Sequence, residues 1–125
     1  MSRAIVVQEV GGPEVMEWVE QDPGAPGEGE VLVRHTAIGL NFIDVYHRTG
    51  LYPVAAPFTP GAEGVGVVEA VGGGVADLSI GDRVCYTSNG PIGSYCERRV
   101  LPATRLVPVP DAISDEVAAA VMLKG

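Results

Sequence analysis

The stretch EVLVRHTAIGLNFIDVYHRTG, residues 30–50, changes period once, at Asn41. Up to Leu40 it alternates, with Val31, Val33 and His35 on one face and Leu32, Arg34 and Thr36 on the other. That is the period of a strand, and it puts His35 among strand neighbours or water. From Asn41 onward Phe42, Ile43 and Tyr46 recur at helical spacing, and Gly50 and Pro53 stop the run. Asp44 precedes Arg48 by four residues, the favourable order for a helical ion pair. A strong strand feeding a short helix near 42–50 is the expected centre of the fold.

Outward from there the chain reads as short strands. RAIVVQEV (3–10) is β-branched, GGP (11–13) turns, and EVMEWVEQ (14–21) returns as the second arm of a hairpin. DPGAPGEGE (22–30) and LYPVAAPFTPG (51–61) are too rich in Gly and Pro to be regular. Further strands are expected over 64–72, from Arg83, and over 93–103. RLVPVP (105–110) is a short edge strand, because its prolines donate no ladder hydrogen bonds. SDEVAAAVMLKG ends the chain as a helix near 114–124: Ser114 can cap it, Asp115 and Glu116 sit at its positive end, and Lys124 and Gly125 close it. Its middle is apolar on most sides and so requires cover. The fold class is mostly β (α+β), a single domain over 1–125 built as a partly open barrel with one short and one longer helix.

Composition narrows the function. Net charge is −8, and seven acids fall between Glu9 and Glu30 without one base. Such a surface repels nucleic acid and anionic membranes. No apolar run approaches the roughly 20 residues that span a bilayer. The N-terminus lacks the apolar core of a signal peptide, and the expected location is cytoplasmic. Cys85 and Cys96 both lie in apolar, strand-like runs; two buried thiols are expected, with a disulfide as the alternative.

The usual catalytic signatures are missing. GAEGVG (61–66) and GGGV (72–75) have neither dinucleotide-loop spacing nor a following helix; glycines here let strands cross closely. Two Cys and two His without a C-x-x-C pair argue against a metal site. No G-x-S-x-G elbow occurs. The cluster GLNFIDVYHRTGLYP (39–53) remains, with Asn41, Asp44, Tyr46, His47, Arg48 and Tyr52. Residue chemistry alone leaves two readings open. It is a helix capped by Asn41 with a surface Asp44–Arg48 pair and packing tyrosines, or one wall of a pocket for a planar ligand.

A resemblance changes that balance. GPEVMEWVE, GEVLVRHTAIGLNFIDVYHRTGLYP, PFTPGAEGVGVVEAVGGGV, IGDRVCY and GSYCERRVLPATRLVPVPDAISDEVAAAVMLKG follow in order across nearly all of residues 10–125. Together they resemble the N-terminal catalytic domain of the medium-chain dehydrogenase/reductase superfamily. Within it they resemble the zinc-free quinone oxidoreductases, the group that includes zeta-crystallin. The resemblance implies a GroES-like barrel and no metal. Zinc-dependent members carry a cysteine where this chain has Asn41 and a G-H-E-x-x-G where it has GAEGVG, so two ligand positions are Asn41 and Ala62. Their four-cysteine lobe is replaced by the short turn TSNGPIGSYC (87–96). It further implies that Asn41, Tyr46 and Tyr52 form the catalytic side of the cleft, that the backbone of Phe42, Ile43 and Asp44 approaches NADPH, and that His47 is a bystander. Asp44–Arg48 would brace the wall. A quinone or other small planar electron acceptor is the expected partner, and an enone or alkenal is the alternative substrate.

In that family a Rossmann domain carries most cofactor contacts, and it is expected to follow Gly125. The 125 residues alone are then expected to bind NADPH poorly and to turn over no quinone. NADPH over NADH is taken from the group's habit, and any homodimer would form through the other domain. The reading outside enzymology is a stand-alone GroES-like binding or assembly module.

Overall fold

A computed structural model describes residues 2–87 and 91–123. Strands β1 (Arg3–Val7) and β2 (Met16–Glu20) form an antiparallel hairpin, with a single 3₁₀ turn at Pro13–Val15 before β2. The main sheet has five strands in the order β6 (Arg98–Pro102), β3 (Glu30–Ile38), β4 (Glu63–Val71), β5 (Arg83–Thr87), β7 (Val107–Pro108). Every pairing in it is antiparallel. Helix α1 (Phe42–Thr49) joins β3 to β4, and α2 (Asp115–Val121) follows β7. The sheets do not close on each other, so the barrel is partly open.

β3 and β4 form the long central pair, nine residues each, and two register shifts bend them. Gly66 makes the close crossing: a Cβ there would collide with the Arg34 carbonyl and the Val33 side chain. The inward faces of the sheet carry Val31, Val33, Val68, Val84, Tyr86 and Leu101, closed by Leu78 and Leu106 from the loops. A second cluster, Val65, Cys85, Val109, Ala118 and Ala119, seats α2 on the opposite side of β4 and β5. Each fully buried valine contributes about 1.5–3 kcal/mol, which is why β-branched alternation fixes these strands.

Several expectations are trimmed by local geometry. Residues 93–97 are not part of a continuous strand: Gly93 takes φ +144°, and the Gly93 and Tyr95 N–H groups turn to the Gly61 and Pro60 carbonyls. Only Cys96 bridges to Ala4 before β6 begins at Arg98. β1 stops at Val7, where Val7 exchanges both of its hydrogen bonds with Phe58. α1 closes at Gly50, which takes φ +87°. In α2, Ser114 Oγ accepts the Val117 N–H at 3.2 Å, while the expected closing residues Lys124 and Gly125 lie outside the described ones, as do 88–90 of the turn 87–96. Cys85 and Cys96 are free and buried, so no disulfide joins them. Burial pushes both thiols up, Cys96 to about 11, which leaves neither as a ready nucleophile. Among the described residues no helix is long and apolar enough to cross a membrane.

Candidate functional site

Of the residues singled out by sequence, Asn41 and Asp44 meet where β3 hands over to α1, while Tyr46, His47 and Tyr52 form a separate aromatic group towards the other end of the helix. Asn41 is the N-cap of α1 and is buried. Its backbone N–H donates to Asp44 Oδ2 at 3.0 Å, one arm of a capping box. The Asn41 side chain faces the Asp44 N–H, but its amide nitrogen donates elsewhere, to Glu63 Oε2 at 2.5 Å. Asn41 is therefore more than a cap.

Glu63 was not singled out in the sequence, and it is 1% exposed. As the first residue of β4, it runs its side chain between the end of β3 and α2. Gly39 leaves the room: a Cβ there would lie 2.5 Å from Glu63 Cγ and 2.6 Å from the Ala119 carbonyl oxygen. Glu63 Oε1 then accepts the Leu123 N–H at 3.3 Å, just past the end of α2. The signal was present in GAEGVGVV, an acid alone in a run of buried glycines and valines. Such a charge is rarely buried without partners.

The Asp44–Arg48 ion pair expected from spacing does not form. Asp44 is buried, and its Oδ2 faces the positive end of α1 and accepts the Tyr95 hydroxyl at 2.7 Å. Arg48 instead donates from Nε to the Gly11 carbonyl at 3.1 Å, and its own carbonyl accepts the Gly11 N–H at 3.0 Å. Arg48 thus fastens α1 to the β1–β2 turn, while Tyr95 and Asp44 brace the cap. Both bonds to Asp44 fall on Oδ2, and its buried Oδ1 has no protein partner among the described residues.

Tyr46 and Tyr52 meet each other, ring centroids 5.1 Å apart and tilted by 59°. The Tyr52 N–H donates to the Tyr46 carbonyl at 3.1 Å, and about half of Tyr52 is exposed. His47 is buried with its ring edge-on to Tyr52 at 6.3 Å, and its Nδ1 has no protein partner among the described residues. Leu40, Asn41, Phe42 and Val45 line a hollow of about 150 Å³. Across Asn41 a second hollow, about 340 Å³, is lined by residues 37–41, Glu63, Glu116, Ala119 and Ala120. Neither is lined by Tyr46 or Tyr52. Ile43 is half-buried and Phe42 is strongly exposed. Among the described residues no three His, Cys, Asp or Glu side chains come together as metal ligands.

Residues 27–111 match the alcohol dehydrogenase GroES-like domain. Over its whole length the chain is 53% identical to a quinone oxidoreductase of Pseudomonas aeruginosa, covering 38% of that protein. It is 45% identical to the 2-haloacrylate reductase of a Burkholderia species, again over the whole chain and 39% of the relative. In three dimensions it superposes on the Escherichia coli quinone oxidoreductase, a structure complexed with NADPH, with TM-score 0.93 and 43% identity over 99% of this chain and 38% of that one. The chain thus spans well under half the length of these relatives.

Proposed function

This chain belongs to the alcohol dehydrogenase GroES-like domain family, and on that premise we propose that it forms the substrate side of an NADPH:quinone oxidoreductase. The observation that carries the proposal is the match to quinone oxidoreductases along the entire chain, joined to an Asn41 amide held at the rim of an apolar hollow. The P. aeruginosa and E. coli relatives are named quinone oxidoreductases, and the E. coli structure is a complex with NADPH.

The residues fit the nicotinamide end of such a cofactor and no more of it. The hollow of about 150 Å³ beside Leu40, Phe42 and Val45 has room for a ring, not for a dinucleotide. In this reading the backbone of Phe42, Ile43 and Asp44 at the start of α1 approaches the ring. NADPH, when bound, supplies the hydride; the rest of it would be held by the domain expected beyond Gly125. A zinc ion does not fit. An amide and a methyl, Asn41 and Ala62, stand at the two ligand positions, and Glu63 is already bonded on both oxygens.

The work left to this domain is placement. An electron-poor quinone needs its ring held flat against the donor, and its oxygens can take protons from water. Asn41 orients a carbonyl at the hollow, and Tyr46 and Tyr52, which pack on each other outside it, would meet only a substrate that reaches beyond it. None of the three has to transfer a proton for the hydride to pass. The second reading, reduction of an activated alkene, is favoured by the 45% identity to 2-haloacrylate reductase. A carboxylate-bearing alkene would call for a cation, and the larger hollow at Asn41 presents Glu63 and Glu116 instead. That supports the quinone.

The test is NADPH oxidation by the protein expressed from its whole reading frame, with simple quinones, enones and 2-haloacrylate as acceptors. Quinones are expected to give the highest kcat/KM, and Asn41→Ala to lower it about tenfold or more, the loss of one oriented hydrogen bond. Preference for the haloacrylate, or no effect of Asn41→Ala, overturns the reading.

A further inference from the structure

We propose that Glu63 is the positioning residue for Asn41, setting which way its amide faces the cleft; the inference rests on the quinone-reductase reading for its meaning. Asn41 lies at the rim of the hollow, and an asparagine amide can sit either way round. Glu63 removes that freedom. A carboxylate only accepts hydrogen bonds, so the group 2.5 Å from Glu63 Oε2 must be the Asn41 NH₂. The Asn41 Oδ1 is then left on the side of the Asp44 N–H in the capping-box arrangement, where that N–H donates at 3.0 Å to the Asn41 backbone carbonyl. One amide hydrogen is spent on Glu63, and the second has no protein partner among the described residues. A group arranged this way donates to a carbonyl oxygen, the chemistry of a quinone or of a nicotinamide carboxamide.

The carboxylate is held as firmly as the amide. It is 1% exposed, and no arginine or histidine among the described residues pairs with it. Its second oxygen takes the Leu123 N–H, and Gly39 clears its path. A side chain that only filled space at this position would be apolar, like its neighbours Ala62 and Val65. Glu63 also links the cleft to the end of α2, so a shift there reaches Asn41 through one side chain.

Substitution Glu63→Gln keeps the shape and breaks the logic. Its single carbonyl oxygen cannot satisfy both the Asn41 amide and the Leu123 N–H, and its own NH₂ invites Asn41 to turn over. In the protein expressed from its whole reading frame, Glu63→Gln is expected to lower quinone kcat/KM about tenfold. In an Asn41→Ala background the same change is expected to cost less than about twofold, because the amide it positions is gone. Equal losses in both backgrounds make Glu63 merely structural and overturn the proposal, as does no loss in either. Glu63→Asp, which withdraws the carboxylate by one methylene, runs the same cycle should Glu63→Gln fold poorly. Side-chain amide NMR supplies a readout independent of turnover. The Asn41 NH₂ pair, assigned by its loss in Asn41→Ala, is expected to move in Glu63→Gln or Glu63→Asp. An unmoved pair overturns the proposal even if the protein reduces no quinone, and that last result would count against the quinone-reductase reading alone.

Discussion

His35 is satisfied only as a neutral ring. Its Nδ1 lies 2.8 Å from the Cys96 carbonyl oxygen and so carries the proton. Its Nε2, 2.7 Å from the Tyr86 hydroxyl, then accepts from a phenol that Arg99 already donates to at 3.3 Å. A second proton on His35 would meet that hydroxyl head-on and leave the phenol hydrogen without an acceptor. Burial, with Arg99 nearby, lowers the His35 pKa to about 4, against about 6.5 for the free side chain. The folded state then binds fewer protons than the unfolded chain between those values, so the stabilisation is full above pH 6.5 and is lost as pH falls towards 4. Urea unfolding at pH 7.5 and 4.5 is expected to show a loss of about 1–3 kcal/mol from this group, and His35→Gln a visibly flatter profile. Tyr95→Phe tests the brace beside it. Removing the hydroxyl from buried Asp44 is expected to cost about 1–3 kcal/mol at pH 7, read by the same unfolding. From sequence, His35 was legible as a strand side chain; its partners were not, because Tyr86 and Cys96 are more than fifty residues away.

Among the elements, the β3–β4 pair is the one that cannot yield. Gly66 faces the Arg34 backbone so closely that a single methyl has nowhere to go. Gly66→Ala is expected to lose about 2–4 kcal/mol by prying the two central strands apart, seen as a lower urea midpoint with β3 and β4 amides exchanging first. Helix α2 is held differently. Arg83 clamps the Asp115 carboxylate at 2.6 and 3.0 Å and caps the Ile113 carbonyl at 2.7 Å. The hydrogen bonds and charge of Arg83 hold the Asp115 carboxyl below the usual carboxylate range. Arg83→Met is expected to speed hydrogen exchange in α2 while leaving the barrel protected.

These elements were mostly legible because period and punctuation are local signals. Alternation marked β3, Gly50 closed α1 and Ser114 opened α2, each readable within a few residues. The Asp44–Arg48 pair was misread for the same reason: helical spacing says which side chains can meet, not which partners a buried carboxylate will prefer. Glu63 escaped because its reason for being charged lies on two other elements, α1 and the end of α2.

At the scale of the whole molecule, charge and apolar surface point the same way. The chain carries a net charge of −8, and the hollow beside Asn41 is lined by Leu40, Phe42 and Val45 without one basic side chain. Ile113, Val117, Val121 and Leu123 keep a third or more of their surface exposed around α2. A dinucleotide brings several negative charges, and nothing lining this hollow compensates them. The 125 residues by themselves are therefore expected to bind NADPH only weakly, through the ring end alone. Because the long-range contribution is repulsive, screening should help: raising salt from about 20 to 200 mM shortens the Debye length from about 20 to 7 Å, and residual binding is expected to strengthen slightly. An attractive phosphate site would weaken instead. A nicotinamide-fluorescence titration at the two salt concentrations reads both signs. Saturation at micromolar NADPH, or affinity that falls with salt, would falsify the division of labour proposed here, since it would put the phosphate contacts within these residues.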